Sequence, residues 1–126
     1  MKRDWHLMGD IFNAIEDDRL ELLISKYESN QNKYSILMQH LEMLIDADYI
    51  KGVTISLSVD GQYSWGTDVP RITLKGYDFA DIVKDKFLLN KTIKAIKDAG
   101  YMVTWETLKE FAPMILKVAV KQIFKN

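Results

Sequence analysis

The stretch Asn32-Lys33-Tyr34-Ser35-Ile36-Leu37-Met38-Gln39-His40-Leu41-Glu42-Met43-Leu44-Ile45-Asp46-Ala47-Asp48-Tyr49-Ile50 decides how the rest of the chain is read. Leu37, Leu41, Leu44 and Ile45 fall at i, i+4, i+7 and i+8, which is one face of a helix. Asn32 suits the N-cap, because its side chain can accept a hydrogen bond from an orphan backbone N–H of the first turn. Asp48 suits the exit, since Asp tolerates the left-handed conformation better than most residues.

Downstream, Val53-Thr54-Ile55-Ser56-Leu57-Ser58-Val59 alternates strictly and predicts a strand, with Val53, Ile55, Leu57 and Val59 on one face. Asp60-Gly61 is a hairpin turn signal. Gln62-Tyr63-Ser64-Trp65-Gly66 reads as the returning arm or a loop, and Pro70 fits an edge or a strand start. Ile72-Thr73-Leu74 is expected to close a three-stranded sheet and lead into a helix capped by Thr73.

Upstream, Asp4 caps a first helix striped by Trp5, Met8, Ile11, Phe12 and Ile15. Glu16-Asp17-Asp18-Arg19 breaks that stripe and reads as a solvated helix end rather than a metal or acid/base cluster. In Leu20–Tyr27, Leu20, Leu22 and Ile24 share a period-2 face, so a strand is expected, with a helix as the competitor. A helix-turn-helix wants a helix here, so it is expected either abbreviated or replaced by the strand. Ser29-Asn30-Gln31-Asn32 is a polar loop.

Toward the C-terminus, Leu74, Tyr77, Phe79, Ile82 and Val83 line one helix. A second runs from about Phe87 to Ala99 and stops at Gly100. Thr104 caps a last helix through Trp105, Leu108, Phe111, Ile115, Leu116, Ala119, Val120 and Ile123, which Pro113 is expected to kink or restart. From Phe111 to Phe124 this helix is apolar nearly all round, so it needs two partners. Either Phe111, Ile115, Val120 and Ile123 form a homodimer surface, or the helix threads between other parts of its own fold.

These elements predict an α+β protein. Residues 1–86 form a winged helix-turn-helix-like domain with a small antiparallel sheet, and residues 87–126 form a C-terminal helical extension. At 126 residues with 48% hydrophobic content, one ordinary core is expected. There is no run of about 18 apolar residues, so no membrane span is expected. Met1-Lys2-Arg3-Asp4-Trp5 is not followed by the apolar region of a secretory signal. No cysteine is present, which removes disulfides, thiolate catalysis and Cys-based zinc sites and fits a cytoplasmic protein. Net charge is −1, but residues 1–70 carry 6 Lys/Arg against 12 Asp/Glu and residues 71–126 carry 11 against 6. That split is either scatter or a basic half awaiting an acidic partner.

Catalysis finds little support. His6 lacks a partner in sequence, and His40, mid-helix, reads as a core histidine with a satisfied ring. No P-loop, nucleophile elbow or His-x-x-x-His pair is present, so neither enzyme activity nor a cofactor is expected. For double-stranded DNA, the early residues of the central helix, Asn32, Lys33, Ser35 and Gln39, would meet base edges. Gln62, Tyr63 or Ser64 would contact DNA from the hairpin, and Lys2, Arg3, Arg71 and Lys75 would hold phosphates. Glu42, Asp46, Asp48 and Asp60 oppose that reading, because phosphate neutralisation supplies most non-specific affinity. The alternative is a protein-interaction adaptor or inhibitor using the same fold, with Tyr63 and Trp65 as interface anchors.

Met1-Lys2-Arg3-Asp4, Ile15-Glu16, His40-Leu41 with Leu44, Tyr49-Ile50 and Ile72-Thr73-Leu74-Lys75-Gly76-Tyr77-Asp78-Phe79 together resemble a family of short bacterial and phage or prophage proteins known as a domain of unknown function. The resemblance covers nearly the whole chain and implies a winged-helix-like head followed by helices. It implies no activity and carries over no site residues. The sequence departs from the family at Asp48, where Gly commonly follows Ala.

Overall fold

A computed structural model describes residues 2–124, without the side chain of Phe124, so the apolar expectation for that residue lies outside the described side chains. Among the described residues there are six helices and a two-stranded antiparallel sheet, an α+β arrangement. In order these are α1 (Trp5–Glu16), α2 (Leu20–Tyr27), α3 (Gln31–Asp46), β1 (Ile50–Leu57), β2 (Tyr63–Ile72), α4 (Leu74–Val83), α5 (Lys86–Asp98) and α6 (Trp105–Phe124).

α1 is the central stave. Asp4 caps it through the Leu7 N–H at 3.0 Å, and Leu7, Met8, Ile11, Phe12 and Ile15 are buried. Around it gather Leu37, Met38, Leu41 and Leu44 of α3, Ile50, Val53 and Ile72 of the sheet, Phe79 and Val83 of α4, and Leu89, Ile96 and Leu108 beyond. Gly9 lets α1 lie against the end of α4, for a Cβ there would sit 2.1 Å from the Val83 carbonyl oxygen. Phe79 is the hub of an aromatic group. Its ring lies 6.0 Å from Trp5, 5.8 Å from Phe12, 5.2 Å from Tyr49 and 4.5 Å from Trp105.

Leu20–Tyr27 is a helix, not the expected strand. Leu20 and Ile24 are buried at i, i+4, while Leu22, which completed the period-2 face, is 68% exposed. Glu21 in the first turn and Lys26 in the last also complement the helix dipole. The helix before the central helix is therefore present, with Glu28–Asn30 as the turn between α2 and α3. Asn30, not Asn32, caps α3, accepting from the Lys33 N–H at 3.1 Å. Asp48 follows α3 in the left-handed region, at φ 63°.

The sheet has two strands rather than three, because Tyr63–Ile72 is one strand and Ile72 is its last residue. The predicted strand 53–59 lies in the structure at Ile50–Leu57, with Ser58–Gln62 turning the chain. Ile55 faces Trp65 and Leu57 faces Tyr63 in register; Ile55, Tyr63 and Trp65 pack against the core, whereas Leu57 near the turn is 55% exposed. Between Lys51↔Arg71 and Val53↔Thr67 the register slips, with Gly52 at φ 80° and Pro70 inside the irregular segment, where a strand tolerates proline. Thr73 caps α4 as expected, accepting from the Gly76 N–H at 2.9 Å.

α6 runs as one helix through Pro113. Leu108 and Ala112 are buried and Phe111 is half-buried, its ring 6.0 Å from Tyr101. Farther on, Met114, Leu116, Val118, Val120 and Ile123 are exposed, whereas Ile115 is half-buried.

Candidate functional site

The start of α3 presents Asn32 and Lys33 to solvent. One turn on, Ser35 and Gln39 are half-buried, and the Gln39 amide donates to the Ser35 hydroxyl at 3.3 Å. The hairpin leans on this same side. The Tyr34 hydroxyl donates to the Tyr63 carbonyl at 3.4 Å, and the Tyr63 hydroxyl faces Gln39 and Glu42. Burial first, and then the Glu42 carboxylate, hold that hydroxyl above the usual tyrosine value. Gln62 is exposed at the turn, its N–H donating to the Ser58 hydroxyl at 3.2 Å.

The hairpin is also tied to α2. The Trp65 indole donates to Glu28 at 3.2 Å, and the Thr67 hydroxyl donates to Glu21. Tyr63 and Trp65 are half-buried and pack against the core.

The expected site residues fall into two groups. Asn32, Lys33, Ser35 and Gln39 lie along the first half of α3 with Tyr63 beside Gln39, while Gln62 stands at the hairpin turn. Arg71, opposite Lys51, and Lys75, whose Nζ lies 5.4 Å from the centre of the Tyr49 ring, stand at the other end of α3. α3 is 16 residues long, about 24 Å, so Asn32 and Lys33 at its start stand far from the end where Arg71 and Lys75 lie, while Gln39 sits halfway. Arg3 belongs with the second group, its guanidinium carbon 5.9 Å from the Trp5 ring, beside a cleft of about 310 Å³ that Tyr49 and Trp105 also line.

Both histidines have partners. His40 is fully buried; its Nε2 accepts from the Asp4 N–H at 2.9 Å and its Nδ1 donates to the Ile36 carbonyl at 2.7 Å. His6 Nε2 lies 2.6 Å from Asn90 Oδ1. The acidic run 16–18 is held outward: Glu16 pairs with Lys84, Asp17 pairs with Arg19 at 3.0 Å, and Asp18 turns the chain at φ 55°. Among the described residues no group of three or more His, Cys, Asp or Glu side chains could hold a metal ion. Nor is any helix long and apolar enough to cross a membrane.

A cleft of about 760 Å³ opens between α1, α2, the start of α3 and the start of α5. Arg19, Lys26, Lys33 and Lys86 stand on its walls, with Asp10 the one carboxylate among its lining side chains. Lys33 and Lys86 are far apart in sequence, so only the tertiary fold joins them.

These observations define an α+β protein with six described helices, a two-stranded hairpin, and polar groups concentrated around the start of α3. Residues 2–102 match the family model described as "Hypothetical protein (DUF2513)", and the chain belongs to that family. The match spans α1 to α5 and ends before α6. No curated protein matches the chain, and no solved structure does.

Proposed function

We propose that this chain is a winged-helix-like DNA-binding protein, a transcription regulator of phage or prophage type that acts in the bacterial cytoplasm and is not an enzyme. The observation that carries this reading is the order α2, short turn, α3, hairpin, with Asn32 and Lys33 exposed where α3 begins. A helix so presented can enter the major groove with its first residues at base edges. Asn suits an adenine edge, and Lys a guanine edge or a phosphate. Gln62 at the hairpin turn would reach the neighbouring backbone. Arg71 and Lys75, at the far end of α3, would meet the phosphates on the other side of the groove. The exposed residues Val120 and Ile123 of α6 offer a surface for a second copy, which would carry a second head to a second half-site.

Binding to random duplex DNA at two salt concentrations tests the reading. A steep fall in affinity with salt supports it, because each neutralised phosphate releases counterions. No binding at low salt overturns it.

A second reading, a protein-binding adaptor or inhibitor, is favoured by one observation. Glu42 and Asp46 stand on or beside the outer side of α3, and the hairpin turn carries Asp60 and neither Lys nor Arg. Such a surface repels phosphates and suits a basic protein.

A further inference from the structure

We propose that the cleft between α1, α2 and the start of α5 binds a phosphate-bearing small molecule of nucleotide size. Its volume, about 760 Å³, lies in the range of small-molecule sites, roughly 300–1,000 Å³. Its charge is one-sided: Arg19, Lys26, Lys33 and Lys86 against Asp10. Among the described residues, Lys26, Lys33 and Lys86 enter no ion pair, whereas Arg19 is engaged by Asp17. Three uncommitted ammonium groups around one concavity can make charge-assisted hydrogen bonds to a multivalent anion.

The walls are not only charged. Leu22, Leu23 and Tyr27 give an apolar side, which suits a ligand with a flat or hydrophobic body. Asp10 can accept from a hydroxyl or amino group at the end of the ligand away from its phosphate. Asn13 spends its amide N–H on the Lys84 carbonyl at 3.1 Å, which leaves its side-chain oxygen as a further acceptor. The Tyr27 hydroxyl, raised above its ordinary value by burial and then by Asp10 and Asp4, stays protonated and can donate.

A duplex fits this feature less well. Its phosphates lie on a convex ridge, while the cleft is recessed between helices and half apolar. The cleft shares only Lys33 with the DNA reading, since Lys26 and Lys86 are not among the residues assigned to the duplex. Ser29 and Asn30, in the turn before α3, line it too, so an occupant would touch the segment that positions Asn32 and Lys33.

The test is calorimetric titration of the whole chain with AMP and with inorganic pyrophosphate at low salt, repeated with a random duplex as competitor. AMP is expected to bind in the micromolar range and pyrophosphate to compete with it. The double variant Lys26→Glu/Lys86→Glu should weaken AMP at least about tenfold through loss of two charge-assisted contacts. Lys91→Glu, on the same helix as Lys86 but outside the cleft, should leave AMP binding unchanged. Amide shifts confined to Tyr27, Ser29 and Asn30 on AMP addition give a second readout that needs no variant. The proposal is overturned by an absence of binding and shifts up to about 10 mM AMP, the weak end of the affinity scale. An equal loss in Lys91→Glu, or no loss in the double variant, also overturns it. Displacement of AMP by duplex alone, with pyrophosphate inert, would make the cleft part of a DNA surface and overturn it as well.

Discussion

His40 Nε2 accepts the Asp4 backbone N–H at 2.9 Å, which ties the middle of α3 to the residue that caps α1. With Nδ1 donating to the Ile36 carbonyl, the ring is the neutral Nδ1–H tautomer and both nitrogens are satisfied. His40→Ala strands a backbone donor and leaves a void in the core. The expected loss of stability is about 3 kcal/mol, read from denaturant unfolding. A loss near zero would show that the Asp4 N–H finds water without cost.

Alkaline stability is expected to fall from about pH 10 upward. The hydrogen bond to Glu16 raises Lys84 above its ordinary 10.5, and burial raises Tyr27, Tyr34, Tyr49 and Tyr63 above 10.0. A raised folded value means stability that is whole below the unfolded value and lost as pH climbs through the folded one. Both residue types therefore act in the same direction. Glu16→Gln should cost about 0.5–1 kcal/mol at neutral pH, since solvent reaches both partners. The gap to the parent chain should close above pH 10.5, where Lys84 loses its proton. Thermal melts across that range check both statements.

Two backbone positions at the exit from α3 should respond in opposite directions. Asp48 holds φ 63°, so Asp48→Gly should stabilise by about 0.5–1 kcal/mol through relief of left-handed strain. Gly76 has no such freedom to gain a side chain. A Cβ there would lie 2.1 Å from the Tyr49 carbonyl oxygen, so Gly76→Ala should destabilise by about 2–3 kcal/mol. Denaturant midpoints of the two variants give the comparison directly.

If duplex DNA is the ligand, Lys33→Ala should lower the salt slope of binding by about 1 with little change in sequence preference. Asn32→Ala should cost about 1–3 kcal/mol on a preferred site and almost nothing on random sequence. Fluorescence anisotropy at several salt concentrations separates these effects. An unchanged slope in Lys33→Ala removes that residue from the interface.

Sedimentation at micromolar concentration tests the α6 surface. A dimer built on it should dissociate in Val120→Lys, since a buried charge without a partner is strongly unfavourable. Val120 is already solvent-facing in the single chain, so the variant should keep its fold and its melting temperature. A parent chain that sediments as a monomer rules the dimer out.

Much of the fold was legible wherever burial imposed a clean period. The leucines of α3 and the stripe of α1 each reflect one buried face, and the alternation of Val53 to Leu57 reflects a face buried at Val53 and open at Leu57; each element formed. α2 was misread because in eight residues its buried pair, Leu20 and Ile24, fits period 2 as well as period 4. The α3 cap was misplaced by two residues, since Ser29-Asn30-Gln31-Asn32 offers several residues able to cap. The site was legible only in part. The grouping of Asn32, Lys33, Ser35 and Gln39 follows from one helix, but their separation from Arg71 and Lys75 depends on where the hairpin begins. The approach of Tyr63 to Gln39, and the placement of Lys33 and Lys86 on one cleft, arise from tertiary packing and leave no local signal.

Tyr63 stands beside Gln39 and Glu42, so access to that part of α3 is an exchange rather than an addition. A visitor that displaces the ring must supply its own match for an amide and a carboxylate at once. One that matches both groups gains most, so the hairpin favours visitors that replace what the ring gave up.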